Sequence, residues 1–315
     1  MIDISVIIPT YNRLWALPQA VESCRHSICG TEIIVVDDGS TDGTWEWLAT
    51  QPDVVAIRQD SWGKDWAVNK GLAAAQGEYI RFLDSDDWLM PGANDGQLEV
   101  ARSTGAEVVV AGCQVVDEVS KVTTTMPWVN CDDFVAQQLG ECSGSHYSAY
   151  LFKRSFVAQI PHRQEFGAKD DRMYVLELAL RNPRVSVFDT PTLAHRYHAR
   201  QRLQSVQGMD AVENNLHHMR IYRKVLAMLQ NRGELTLRRK RAAIRVIWPL
   251  AHWIGYTHLD EADEIARWVH ELDPEFQPPE DGALGWFYRN LGFRRTERIL
   301  RVRRRVVDLV KLLRP

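Results

Sequence analysis

Four short apolar runs, separated by connections of roughly 10–20 residues, restrict this chain to one class of fold. They are residues 3–9 (DISVIIP), 32–36 (EIIVV), 54–57 (VVAI) and 78–83 (EYIRFL). The first two are nearly continuous β-branched stretches, the composition of strands buried on both faces of a parallel sheet. Between them lie helix patterns. Leu14, Leu17, Ala20, Val21 and Cys24 recur near helical spacing, with Gly30 closing that segment, and residues 64–75 place small side chains on one side. Strand, helix, strand, repeated in this way, predicts parallel strands joined by right-handed crossovers. The fold class is α/β: a mostly parallel sheet flanked by helices.

In such a sheet, ligands bind at the carboxyl ends of the strands. Three of these ends are polar: Thr10, Tyr11 and Asn12 after the first run, Asp37 and Asp38 after the second, and Asp84, Ser85, Asp86 and Asp87 after the fourth. Asp84 and Asp86 alternate, so a strand tip presents both from one side. Two close carboxylates repel unless a cation lies between them. Oxygen ligands suit Mg²⁺ or Mn²⁺, which also takes substrate phosphates. The competing interpretation is an acidic turn capping the next helix. It accounts well for Ser40 and Asp42, and less well for residues 84–87.

Three stretches, residues 5–13 (SVIIPTYNR), 35–44 (VVDDGSTDGT) and 77–87 (GEYIRFLDSDD), in this order and spacing, resemble the family 2 glycosyltransferases with the GT-A, Rossmann-like fold. The resemblance covers roughly the first 205 residues, a usual domain size. It implies a nucleotide-sugar donor, UDP- or dTDP-linked, and nucleotide contacts from Pro9, Thr10, Tyr11, Asn12, Asp37, Asp84 and Ser85. It implies a divalent metal at Asp86, with Asp84 nearer the ribose and diphosphate. It makes Asp171, second of the acidic pair Asp170–Asp171 at a helix start, the base of an inverting transfer, with Asp170, His198 and Arg202 as donor or acceptor contacts. The geometry of an inverting displacement also asks for a carboxylate opposite the leaving group, and a helix N-terminus keeps one ionised; plain helix capping is the alternative. Where many members carry Ala-Arg-Asn, this chain has Ala67, Val68 and Asn69, so a cation is missing at Val68. Lys64 and Lys70 stand nearby as substitutes, neither expected to be essential. Asp87 is expected to cap the turn into Trp88.

Further along, residues 107–116 read as a buried strand, 117–131 as a hairpin or excursion, and 184–189 as another strand. The latter leads into a basic-aromatic segment with His195 and His198, which would share a face only on a helical turn. From about Gln207 the pattern turns helical and carries no chemical motif, giving domains at 1–205 and 206–315. A helix over 295–313 puts Ile299, Val302, Val306, Leu309, Val310 and Leu313 on one stripe beside Arg298, Arg301, Arg304, Arg305 and Lys311. It is either an interfacial membrane helix or a packed terminal helix with a solvated basic face.

Charge sharpens that choice. The chain carries −3 overall, which excludes a dedicated nucleic-acid binder. Residues 289–315 hold ten Lys/Arg against two acids, a local +8, leaving −11 on the rest. That asymmetry suits an anionic partner for the C-terminal tail, such as a membrane surface or an acidic protein. The five cysteines show no CxxC spacing and read as reduced thiols. The expected location is cytoplasmic, without a leader peptide and peripheral at the inner membrane face. The expected acceptor is a glycan or lipid-linked saccharide, receiving a single sugar. Competing functions are a nucleotidyltransferase, which would need a Gly-rich phosphate loop after the first strand, and a non-catalytic nucleotide-sugar-binding scaffold.

Overall fold

A computed structural model describes residues 2–198 and 209–301. They fall into two compact units, the first spanning 1–138 and 142–201, the second 139–141 and 202–315.

The first unit opens with β1 (Ile4–Thr10), α1 (Leu17–Arg25), β2 (Thr31–Asp37), α2 (Thr44–Leu48), β3 (Val54–Arg58), α3 (Lys64–Ala74) and β4 (Tyr79–Phe82). It continues through β5 (Trp88–Leu89), α4 (Ala93–Thr104), β6 (Val108–Val116), β7 (Val122–Met126), α5 (Phe134–Leu139), β8 (Leu151–Lys153), α6 (Arg154–Val157), α7 (Asp170–Ala179) and β9 (Val185–Arg196). The sheet order is β3-β2-β1-β4-β8-β6-β9-β5, with β7 on β6. The expected parallel core is present: β1 pairs in parallel with β2 and β4, and β2 with β3. β8 then inserts antiparallel between β4 and β6, and β6 and β9 restore a parallel pair.

Every residue of β1 is buried, as its β-branched run requires of a strand covered on both faces. Helix α3 lies against it so closely that a Cβ on Gly71 would sit 2.5 Å from Ile7 Cγ2. The small side chains of that helix are therefore a condition of its packing. Segment 117–131 contains β7, which makes an exposed hairpin with β6. The basic-aromatic segment is not a helical turn: β9 runs through Arg196, with His195 in the strand and His198 two residues past its end.

The second unit contains α8 (Met209–Asn231), α9 (Leu237–Gly255), α10 (Leu259–Leu272) and α11 (Gly282–Leu291). Residues 293–301 are helical, and the rest of the basic terminal helix lies outside the described residues. No described helix is long and apolar enough to cross a membrane. The core of this unit encloses a polar knot. His252 Nδ1 lies 2.8 Å from Glu297 Oε1 and its Nε2 3.1 Å from Glu280 Oε1, while Tyr288 Oη donates to Glu297 Oε1 at 2.6 Å. Burial alone would lower the pKa of His252, but Glu280 and Glu297 hold it above its usual 6.5. The imidazolium is therefore favoured in the fold. Its contribution is complete below pH 6.5 and is lost as pH rises through the raised folded value. Thermal unfolding of this unit should shift to lower temperature as pH rises above 6.5, and His252→Gln should flatten that slope. An unchanged slope in the variant would remove His252 as its source.

Candidate active site

The carboxyl ends of β1, β2 and β4 form one edge, and the expected residues gather there. At the tip of β1, Tyr11 is half exposed. Asn12 takes a left-handed backbone (φ 51°) and staples the edge: its N–H donates to Ser40 Oγ at 2.9 Å and its Oδ1 accepts from Thr41 N at 2.8 Å. Thr10 is buried, and its hydroxyl has no hydrogen-bond partner. Asp37 ends β2 fully buried. Its Oδ1 accepts from Ser40 N at 3.1 Å, and Arg58 Nε lies 3.5 Å from Oδ2, which makes no hydrogen bond. A buried carboxylate oxygen with an ion-pair contact but no hydrogen bond can accept from a planar N–H donor. Neighbouring Asp38 is structural, accepting from Gln59 Nε2, Trp62 N and Gly63 N.

After β4 the chain divides its acids. Asp84 Oδ1 accepts from Lys64 Nζ at 2.6 Å, with His146 Nε2 3.9 Å from its other oxygen. Burial opposes ionisation of Asp84, but Lys64 and then His146 hold its carboxyl down at about 2. Ser85 is buried. Asp86 Oδ2 lies 3.0 Å from His198 Nε2 and 3.8 Å from Arg13 Nε. Asp87 is not the local cap expected for Trp88. It is buried and reaches across the sheet, accepting from Arg196 N at 2.9 Å and pairing with His195 Nδ1 at 2.9 Å. His195 in turn stacks on His146, with centroids 4.7 Å apart.

Asp171 lies in the first turn of α7 and accepts from Arg172 N at 2.7 Å. Asp170 is turned inward, 3% exposed, and bonds His162 Nδ1 and Arg163 N, so the substrate contact expected of it is replaced by an anchoring one. Arg202 lies outside the described residues. Val68 is buried in the core, so an arginine there is not what this helix presents to the site. The cation comes one turn earlier. Burial alone would lower the pKa of Lys64, but the charges of Asp84, Asp171 and Asp86 together raise it. Lys70 instead bonds Arg58 O and stands over Trp62. Sequence reasoning missed Arg13, His146 and the Asp87–His195 pair, whose members are 108 positions apart with no local signal.

Asp86 with His198 pairs a carboxylate oxygen with an imidazole nitrogen, donors compatible with Mn²⁺ and, through the oxygen, Mg²⁺. Cations already rest on both Asp84 and Asp86, which is how a paired-acid site stays folded without an ion. Three donor atoms within 4.8 Å of one another occur instead, among the described residues, in two other groups: Asp87, His146 and His195, and Asp65, His162 and Asp170. In the second, burial and then Asp170 push the Asp65 carboxyl up to about 7.

The model of the family described as Glycosyl transferase family 2 matches residues 5–160. EpsH of Bacillus subtilis, named as a glycosyltransferase, is 27% identical over 259 residues, 75% of this chain and 72% of its own length. The GalNAc(5)-diNAcBac-PP-undecaprenol beta-1,3-glucosyltransferase of Campylobacter jejuni is 29% identical over 189 residues, 56% of this chain and 59% of its own. Among solved structures, S. aureus TarS 1-349 in complex with UDP-GlcNAc superposes with a TM-score of 0.55 at 15% identity, covering 96% of this chain and 92% of that one. At that identity the likeness is one of fold.

Proposed function

Residues 5–160 make the chain a member of glycosyl transferase family 2, and on that premise we propose that it moves one sugar, with inversion, from a UDP- or dTDP-sugar to a glycan or lipid-linked saccharide. The observation that carries this reading is the bond from Lys64 Nζ to Asp84 Oδ1 at 2.6 Å, which sets a cation on the acidic motif that follows β4. The lipid-linked saccharide in the name of the Campylobacter relative supports that acceptor class.

In this reading Tyr11 and Asp37, whose Oδ2 makes no hydrogen bond, receive the base, with Pro9, Thr10, Asn12 and Ser85 lining the slot. Asp84 faces the ribose and diphosphate, and Lys64 faces the phosphates. Asp86 and Asp84, with His198 beside them, would hold Mg²⁺ or Mn²⁺. Such an ion neutralises charge on the departing diphosphate. Asp171 accepts the proton of the acceptor hydroxyl as that oxygen bonds the anomeric carbon and the bond to the diphosphate oxygen breaks. His198 faces the diphosphate, and Arg202, expected to contact the donor or acceptor with it, lies outside the described residues. Residues 1–205 form the catalytic domain. Residues 206–315 form a helical region whose basic end meets an anionic membrane at its cytoplasmic face.

The test is a screen of nucleotide-sugars for metal-dependent thermal stabilisation, followed by transfer to a lipid-linked saccharide with the product anomer read by NMR. Product of inverted configuration with release of the nucleoside diphosphate is expected. Retention overturns the single-displacement mechanism. Pyrophosphate release from a nucleoside triphosphate, or binding without any turnover, overturns the transferase assignment.

A further inference from the structure

Helix α3 touches both halves of the site. Its first residue, Lys64, reaches Asp84. Five positions on, Asn69 reaches the other way. Its Nδ2 donates to His162 O at 2.8 Å and its Oδ1 accepts from His162 N at 2.9 Å, a two-bond clamp on backbone 93 residues distant. The His162 side chain then passes the restraint on. A carboxylate can only accept, so Nδ1 carries the proton and donates to Asp170 Oδ2. Asp170 Oδ1 takes Arg163 N at 2.7 Å, which ties the loop to the first turn of α7. His162 is 6% exposed and Asp170 3%.

The ring is wedged as well as bonded. It stacks on Tyr174 of α7 at 4.3 Å and 12°, and meets Phe82, the last residue of β4, edge-on at 5.3 Å. Phe82 stands two residues before Asp84, and Tyr174 three after Asp171. One imidazole therefore fills the gap between the strand that ends in the metal motif and the helix that begins with the base. Its Nε2 is buried without a hydrogen-bond partner. An apolar ring would avoid that cost but would lose the Nδ1–H to Asp170.

We propose that Asn69, His162 and Asp170 are positioning residues that set where the Asp171 carboxylate stands relative to Asp84. The proposal rests on Asp171 as the base. Asp170 and Asp171 divide the labour of an acidic pair, one fixing the helix start and the other facing the reaction.

The experiment measures kcat for sugar transfer and, separately, UDP binding by calorimetry with Mn²⁺ present. A carboxylate misplaced by about 1 Å costs on the order of 10²-fold in rate. Asn69→Ala and His162→Leu should each lower kcat by about that factor, with the number of UDP sites per chain and the Kd unchanged. His162→Asn puts its Nδ2 where the ring carries Nδ1, and should recover most of kcat. If His162→Leu does not fold, Asn69→Ala, at a half-buried position, and His162→Asn carry the test. UDP sites lost in step with kcat would mean a merely structural role and overturn the proposal, as would unchanged kcat in Asn69→Ala. Asp171→Asn in the same assay separates the two readings. Normal turnover there removes the base itself, whereas loss there with intact clamp variants removes only the clamp.

Discussion

Asp171→Asn should abolish sugar transfer while leaving the nucleotide site intact. The change keeps the size of the side chain and its place in the first turn of α7, where Oδ1 accepts from Arg172 N. An amide can hold that acceptor role but cannot take a proton from the acceptor hydroxyl. General-base catalysis is worth about 10²–10⁴-fold, and a loss of that size in kcat is expected. UDP affinity should stay within a factor of about two, because the residues proposed to hold the nucleotide lie at the ends of β1, β2 and β4 rather than on α7. Steady-state transfer assays and calorimetry on one preparation decide it. Normal turnover would take the base role from Asp171.

The second large effect belongs to Asp86. Asp86→Ala removes the carboxylate that His198 and Arg13 approach. If this is where the divalent ion is held, removing a ligand gives up several kcal/mol of charge stabilisation, or about 10³-fold in rate. The diagnostic readout is not rate alone. In the unaltered chain, Mn²⁺ added with UDP should raise Tm further than UDP by itself, as any ligand binding only the folded state does. In Asp86→Ala that increment should vanish while the shift with UDP alone persists. A preserved Mn²⁺ increment would place the ion elsewhere, with the Asp87, His146 and His195 group the next to test.

The parallel core was legible because β1, β2 and β4 are buried on both faces, and burial on both faces leaves an unbroken apolar run in the chain. The acids after β4 were legible as a polar cluster closing an apolar run, but the strand alternation expected to put Asp84 and Asp86 on one side does not reach them: β4 stops at Phe82 and the chain turns at Ser85 and Asp86. The partners of Asp87 were not legible, since His195 and Arg196 come from β9 and nothing near Asp87 announces them. Strand β5, two residues long, is too short to show a period. Lys64 was visible but discounted. Position 68 is buried in the core, whereas Lys64, four residues earlier, bonds Asp84. Asp170 was read by its neighbour's chemistry, and only the packing of His162 shows that it faces inward.

The place of β9 in the sheet bears on where the first unit can be divided. The family match stops at residue 160, yet β9 lies beyond it and fills the lane between β6 and β5. Its register with β6 runs from Val108 opposite Val185 to Val116 opposite Arg196. Without it, β6 would present a long row of unsatisfied N–H and C=O groups on an apolar strand, an open template for another chain. β9 is thus also the guard of a sheet margin, and the smallest piece able to stay monomeric reaches at least to Arg196.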